Sequence, residues 1–193
     1  MKQRVFIIHG WDGYPEDGWY PWLKKELEDR GFEVHVPALP DTKYPKYQPW
    51  VAAIAAAVGE ADSSTYFVGH SMGCPAIGRY LETLPEGSKV GGAVFVAGFF
   101  RRLTNLEHED RFQEIADNWL VTPIDFTKIA SHLPQSIAIF SDNDHYVPLD
   151  NADDFRDHLH SDIRIFPKMG HFTELEGYKE LPIVRDALLE LME

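Results

Sequence analysis

The chemistry in this chain begins at Gly69-His70-Ser71-Met72-Gly73, a serine between two glycines spaced G-x-S-x-G. It directly follows the β-rich Thr65-Tyr66-Phe67-Val68, and an apolar helical stripe starts at Cys74. A strand–turn–helix of this kind can hold a serine in strained geometry at a helix N-terminus, where backbone N–H groups favour developing negative charge. The flanking glycines make room for such a turn. A serine hydroxyl is a poor nucleophile without a base. Of nine histidines, His171 stands out, in Lys168-Met169-Gly170-His171-Phe172 after the last β-rich run. A base needs a carboxylate to fix its tautomer. Asp142 and Asp144 both follow the apolar run ending at Phe140, so both are candidates. An oxyanion needs two donors. The Met72 amide, next to the serine, is one; the Trp11 amide, in His9-Gly10-Trp11-Asp12-Gly13 after the first β-rich run, is expected as the other. His9 is expected to stiffen that loop by a hydrogen bond.

These residues need elements to place them. Short β-rich runs cover Arg4–Ile8, Glu33–Pro37, Thr65–Gly69, Gly91–Ala97, Ser136–Ser141 and Asp162–Pro167. Several are continuously apolar, as strands covered on both faces are. Helical stripes lie between them: Leu23 and Leu27 before Arg30-Gly31; Trp50, Ile54 and Val58; Cys74, Ile77, Leu81 and Leu84; and Val184, Ala187, Leu188 and Leu191 after Pro182. Strand–helix alternation of this length implies an α/β fold with a parallel sheet and right-handed crossovers. Active groups then gather at the carboxyl ends of the strands. The longest gap, from Ala97 to Ser136, carries Arg101-Arg102, a polar stretch, Trp119-Leu120 and a short helix expected over Ile124–Leu133. His70, Phe99, Phe100 and Trp119 are candidates to flank or wall a substrate pocket there. Trp19, Tyr20 and Trp22 are candidates for its edge.

Composition narrows the function classes. The chain has 193 residues, and 18 Lys+Arg against 31 Asp+Glu give a formal charge of −13. That acidic balance argues against a nucleic-acid partner and against adhesion to anionic lipid. The lone Cys74 excludes an intrachain disulfide and fits a reducing compartment. Cys74 sits in the apolar stripe and reads as packing. His158 and His160, alternate residues on an expected helix, diverge too far to share a metal. No metal site is expected. No stretch is apolar for long enough to read as a span or an export signal, so a cytoplasmic protein is expected.

Together the HGWDG loop, GHSMG, SDNDHYVP and GHF resemble the α/β-hydrolase superfamily, along the whole chain. The compact layout resembles the small serine hydrolases of the retinoblastoma-binding-protein-9 type and their bacterial relatives. Asn118-Trp119-Leu120…Pro123 before a short helix is also similar to that group. The chain order Ser71…Asp144…His171 is that of α/β hydrolases. The resemblance favours Asp144 over Asp142 and implies Ser71 as nucleophile, Asp144 as orienting acid and His171 as general base and acid, with no cofactor. It implies a minimal form of the fold: a three-layer αβα sandwich on about six parallel strands, order 2-1-3-4-5-6. One domain over 1–193 is expected, with a small cap-like insertion around 98–134. The L-x-C-x-E retinoblastoma-pocket motif has no match here, so a retinoblastoma-type interaction has no support.

The reading is a serine hydrolase of carboxylic esters with a small to medium acyl substrate, working through an acyl-enzyme. The alternative is an interaction protein on a hydrolase scaffold with little turnover. Substrate, oligomeric state and pathway are not legible in the sequence.

Overall fold

The computed structural model describes residues 2–106 and 111–193. Six strands alternate with helices: β1 (Arg4–Ile8), α1 (Tyr20–Glu28), β2 (Glu33–His35), α2 (Tyr47–Val58), β3 (Thr65–His70), α3 (Gly73–Leu81), β4 (Gly92–Val96), α4 (Phe112–Ala116), α5 (Phe126–His132), β5 (Ser136–Ser141), α6 (Ala152–Leu159), β6 (Asp162–Phe166) and α7 (Pro182–Leu191). The sheet runs β2-β1-β3-β4-β5-β6, and every neighbouring pair is parallel. This is the expected strand order. β1 and β3 are adjacent inner strands, with Ile8 opposite Gly69, so the loops leaving both strands meet above the sheet.

Side-chain alternation sorts the core into two layers. On one face Phe6, Ile8, Phe67, Phe95 and Phe140 pack with α2, α3, α5 and α6 through Trp50, Ile54, Ile77, Ile129 and Phe155. On the other, Val5, Ile7, Val68, Val94 and Ile139 pack with α1 and α7 through Leu23, Leu27, Val184 and Leu188. α3 has all nine residues buried, because it lies against the sheet and is flanked by α2 and α5. The edge strands are blunted. β2 has three residues. β6 carries Asp162 and Arg164, which pair with each other, and Arg164 also reaches Glu190. Gly31, expected to stop α1, takes a left-handed φ of 91° just beyond it.

The boundaries differ in small ways. β2 ends at His35 rather than Pro37, since proline has no N–H for a ladder. The helical stripe expected to include Leu84 ends at Leu81; Leu84 is buried from the turn beyond. The long gap before β5 also holds more structure than its polar sequence suggests, with α4 running into a π-helical turn over Asp117–Val121. Arg79, 5% exposed on α3, anchors that turn: its guanidinium donates to the carbonyls of Thr122 and Pro123 and stands 4.9 Å from the Tyr47 ring. The cap-like segment expected at 98–134 includes residues 107–110, which lie outside the described residues. Among the described residues no helix is long and apolar enough to cross a membrane.

Candidate active site

Ser71 sits just past β3 with a left-handed φ of 51°, unfavourable for a side chain bearing a Cβ. Two backbone bonds hold it there: its N–H donates to Val96 O at 2.8 Å and its carbonyl accepts from Cys74 N at 3.0 Å. The glycines on either side are needed for different contacts. A Cβ on Gly73 would lie 2.1 Å from the Ile8 carbonyl oxygen. One on Gly69 would lie 2.8 Å from Ile77 Cδ1 on α3. The turn thus lets α3 start directly against the end of β1 while Ser71 projects into the cleft.

The base loop follows β6 and is stitched to the loop after β5. Ser141 Oγ, Asp142 Oδ1 and Asn143 Oδ1 accept the successive amides of Met169, Lys168 and Gly170 at 2.8–2.9 Å. Asp142 is therefore occupied in holding the loop. The next carboxylate, Asp144, reaches the imidazole: Oδ2 accepts from His171 Nδ1 at 2.8 Å, and Oδ1 accepts the Tyr146 and Val147 amides at 2.8 and 3.0 Å. His171 Nε2 lies 2.9 Å from Ser71 Oγ. Carboxylate, imidazole and hydroxyl form one continuous line, able to draw a proton off the hydroxyl and return it to a leaving group. Burial pushes the Asp144 carboxyl up. The His171 hydrogen bond and charge, with the two amides, outweigh burial and hold it below the usual carboxylate range.

The loop after β1 closes the other side. Asp12 N donates to Thr42 O and Gly13 N to Gly10 O. His9 accepts the Leu39 amide on Nε2 at 3.3 Å, while Nδ1 faces Gly10 O at 3.0 Å. Burial lowers the His9 pKa, keeping it neutral for that acceptor role. Gly10 passes so near the turn that a Cβ there would lie 3.1 Å from Ser71 Cβ. Among the described residues the amides of Trp11 and Met72 have no hydrogen-bond partner, and both residues line a cavity with Ser71 and His171.

That cavity, about 730 Å³, is walled further by Phe99, Leu103, Leu106, Tyr146, Tyr44 and Leu175, with Asp12, Lys43 and Thr173. Phe99 lies in this wall, but three other candidates do not. Phe100 turns to α5 and α6, with ring centroids 5.1 Å from Phe126 and 4.8 Å from Phe155. Trp119 packs on Trp50 at 5.4 Å and donates Nε1–H to Pro45 O. His70 points beneath the site, because the turn after β3 sends it and Ser71 to opposite sides. It meets Tyr20 Oη at 2.7 Å and His171 O at 2.8 Å. Trp19 and Tyr20 join it there, and Trp22 packs on Arg185, so none of these three edges the cavity. Tyr44, Leu103, Leu106, Tyr146 and Leu175 carry no periodic signal in the sequence, since the first four come from loops and Leu175 from a single 3-10 turn over Glu174–Glu176.

The sequence also gave no sign of Glu176. Its carboxylate accepts the His171 amide at 2.8 Å and the Thr173 amide and hydroxyl at 3.0 Å, fixing the base loop from its far end. No group of three or more His, Cys, Asp or Glu able to hold a metal occurs among the described residues.

Comparison with known proteins identifies the family and the fold. YdeN of Bacillus subtilis (strain 168) is 32% identical over 188 residues, spanning 97% of this chain and 95% of YdeN. The crystal structure of the ydeN gene product superposes with a TM-score of 0.90 at 31% identity over 99% of each chain. Serine hydrolase RBBP9 of Rattus norvegicus is 27% identical over 172 residues, 89% of this chain and 87% of RBBP9. The fold is that of the α/β hydrolases. A family model described as serine hydrolase matches residues 5–190, and the chain belongs to that family.

Proposed function

We propose that the chain hydrolyses carboxylic esters with a small to medium acyl group, with Ser71 as nucleophile, His171 as general base and acid, and Asp144 as the orienting acid. The observation that carries this is the unbroken line from Asp144 Oδ2 through His171 to Ser71 Oγ, with bonds of 2.8 and 2.9 Å. Ser71 Oγ attacks the acyl carbonyl as His171 Nε2 takes its proton. The carbonyl oxygen, now negative, is held by the Met72 and Trp11 amides, both of which lack a protein partner among the described residues. His171 then returns the proton to the departing alkoxide, leaving an acyl group on Ser71. Water, deprotonated by the same imidazole, releases the acid and restores the hydroxyl. Asp144 stays ionised and steadies the imidazolium.

Every group in this cycle belongs to the chain, so no cofactor is needed. The cavity supports the acyl size in this reading: about 730 Å³, with Phe99, Leu103 and Leu106 for an apolar acyl body. Chain segment 98–134 supplies those three residues and is read as a small cap on a single domain spanning 1–193.

Labelling with a fluorophosphonate probe tests the chemistry. The wild type labels and Ser71→Ala does not; equal labelling of both sinks the proposal. A panel of p-nitrophenyl esters graded by acyl length, with a thioester and an anilide, tests the substrate class. Asp144→Asn is expected to lose far more turnover than Asp142→Asn; the reverse would move the orienting role to Asp142.

A further inference from the structure

His70 is 6% exposed and has no place in the reaction as drawn. Yet its ring is fully committed. Nε2 lies 2.8 Å from the His171 carbonyl oxygen and Nδ1 lies 2.7 Å from Tyr20 Oη. A carbonyl only accepts, so Nε2 carries the hydrogen; in a neutral ring Nδ1 must then accept, and Tyr20 must donate. The tautomer is thus set by its two partners. Trp19 packs edge-on to the ring at 5.6 Å and donates Nε1–H to the next carbonyl, that of Phe172. Phe172 is buried and holds a left-handed φ of 58°, which calls for such support.

The consequence is a direct tie between the residue before the nucleophile and the backbone of the base. His171 has its N–H held by Glu176 and its C=O held by His70, while its ring spans Asp144 and Ser71. We propose that His70 is a positioning residue, a neutral imidazole locked by Tyr20 that clamps the His171 carbonyl and keeps the base in line with Ser71 and Asp144. This rests on the catalytic reading of His171 given above. Charge neutrality belongs to the device, because the two imidazoles stand 5.2 Å apart and His171 becomes a cation in each half-reaction. A second cation below it would oppose that step. Burial, reinforced by His171, pushes the His70 pKa down to about 3, consistent with that neutrality.

The test compares wild type, His70→Ala, His70→Gln and Tyr20→Phe in p-nitrophenyl acetate kinetics and in the downfield proton resonance of the His171–Asp144 bond. A clamp predicts that His70→Ala loses kcat on the order of 10- to 100-fold with KM within about twofold, since small misplacement of a reacting group costs rates of that size. Its downfield resonance broadens or vanishes. His70→Gln, whose amide can still donate to the carbonyl, recovers most of the loss. Tyr20→Phe falls between. The inference is overturned by His70→Ala keeping kcat within about twofold, or by His70→Gln doing no better than His70→Ala. If His70→Ala does not fold, an unchanged resonance and kcat in Tyr20→Phe overturn it instead. A wild type without turnover would defeat the esterase reading, and the resonance alone would then decide the clamp.

Discussion

His171 is gripped at four points, and buried groups at and beside that grip set how the molecule should respond to acid. His70 and His9 are buried neutral, with pKa values lowered mainly by desolvation, His70 to about 3. Unfolded, both would titrate near 6.5. Between these values the unfolded chain binds more protons than the native one, so stability falls as pH falls. The loss starts near pH 6.5 and approaches about 1.4 kcal/mol per pH unit for each group that stays neutral in the fold. Asp144 acts in the same direction at lower pH, because its depressed carboxyl contributes stability that is lost as the native group protonates. Urea melts between pH 7 and 4 should show this slope, flattened in His70→Gln. An equal slope in that variant would exclude His70 as the titrating group. Cys74, buried on α3 with its thiol pKa raised by desolvation, belongs to packing, as its place in the apolar stripe indicated.

Three strand-end loops make the site, and their separation is set by glycines where backbone meets backbone. At Gly73 an added methyl would sit 2.1 Å from the Ile8 carbonyl, so α3 would have to move off β1. Gly73→Ala is expected to cost about 2–3 kcal/mol or prevent folding. At Gly10 the added methyl would meet Ser71 Cβ at 3.1 Å, the His70 carbonyl oxygen at 3.3 Å and Ser71 Oγ at 3.7 Å, contacts that a shift of a few tenths of an ångström in the loop relieves. Gly10→Ala should therefore stay folded, with a melting temperature within a few degrees of wild type, while turnover drops. Circular dichroism melts beside ester kinetics separate the two outcomes. If Gly73→Ala proves as stable as wild type, the close approach of α3 to β1 is not what holds the turn. The strands and long helices of this arrangement were legible because apolar runs and stripes repeat with fixed periods. α4 and the π-helical turn were not, since their stability comes from Trp119 packing on Trp50 and from Arg79 on α3, contacts distant in sequence.

At the scale of the whole molecule, six parallel strands carry two apolar layers that share one sheet, so neither layer can melt alone without exposing the other. A single calorimetric transition is expected, with van't Hoff and calorimetric enthalpies equal. Two resolved transitions would show that the segment before β5 unfolds separately. The −13 charge is spread over a surface rich in exposed ion pairs, such as Lys25–Asp29 and Arg111–Glu114, which contribute little each.

By itself the sequence determined the class of fold and offered Ser71 and His171 with two rival carboxylates, Asp142 and Asp144, while the strand order and the preference for Asp144 came from the resemblance. The class of fold and the candidate residues depend on local signals: period, glycine spacing and position at strand ends. Tertiary structure alone decided what lies around them. Asp142 and Asp144 are two residues apart and chemically alike, yet one caps a loop amide and the other meets the imidazole. His70 and Ser71 are adjacent, yet one is buried under the site and the other opens into it. The cavity wall and the Glu176 anchor come from loops with no period at all. Such choices are made by direction in space after the chain has turned, and a linear pattern does not carry that direction.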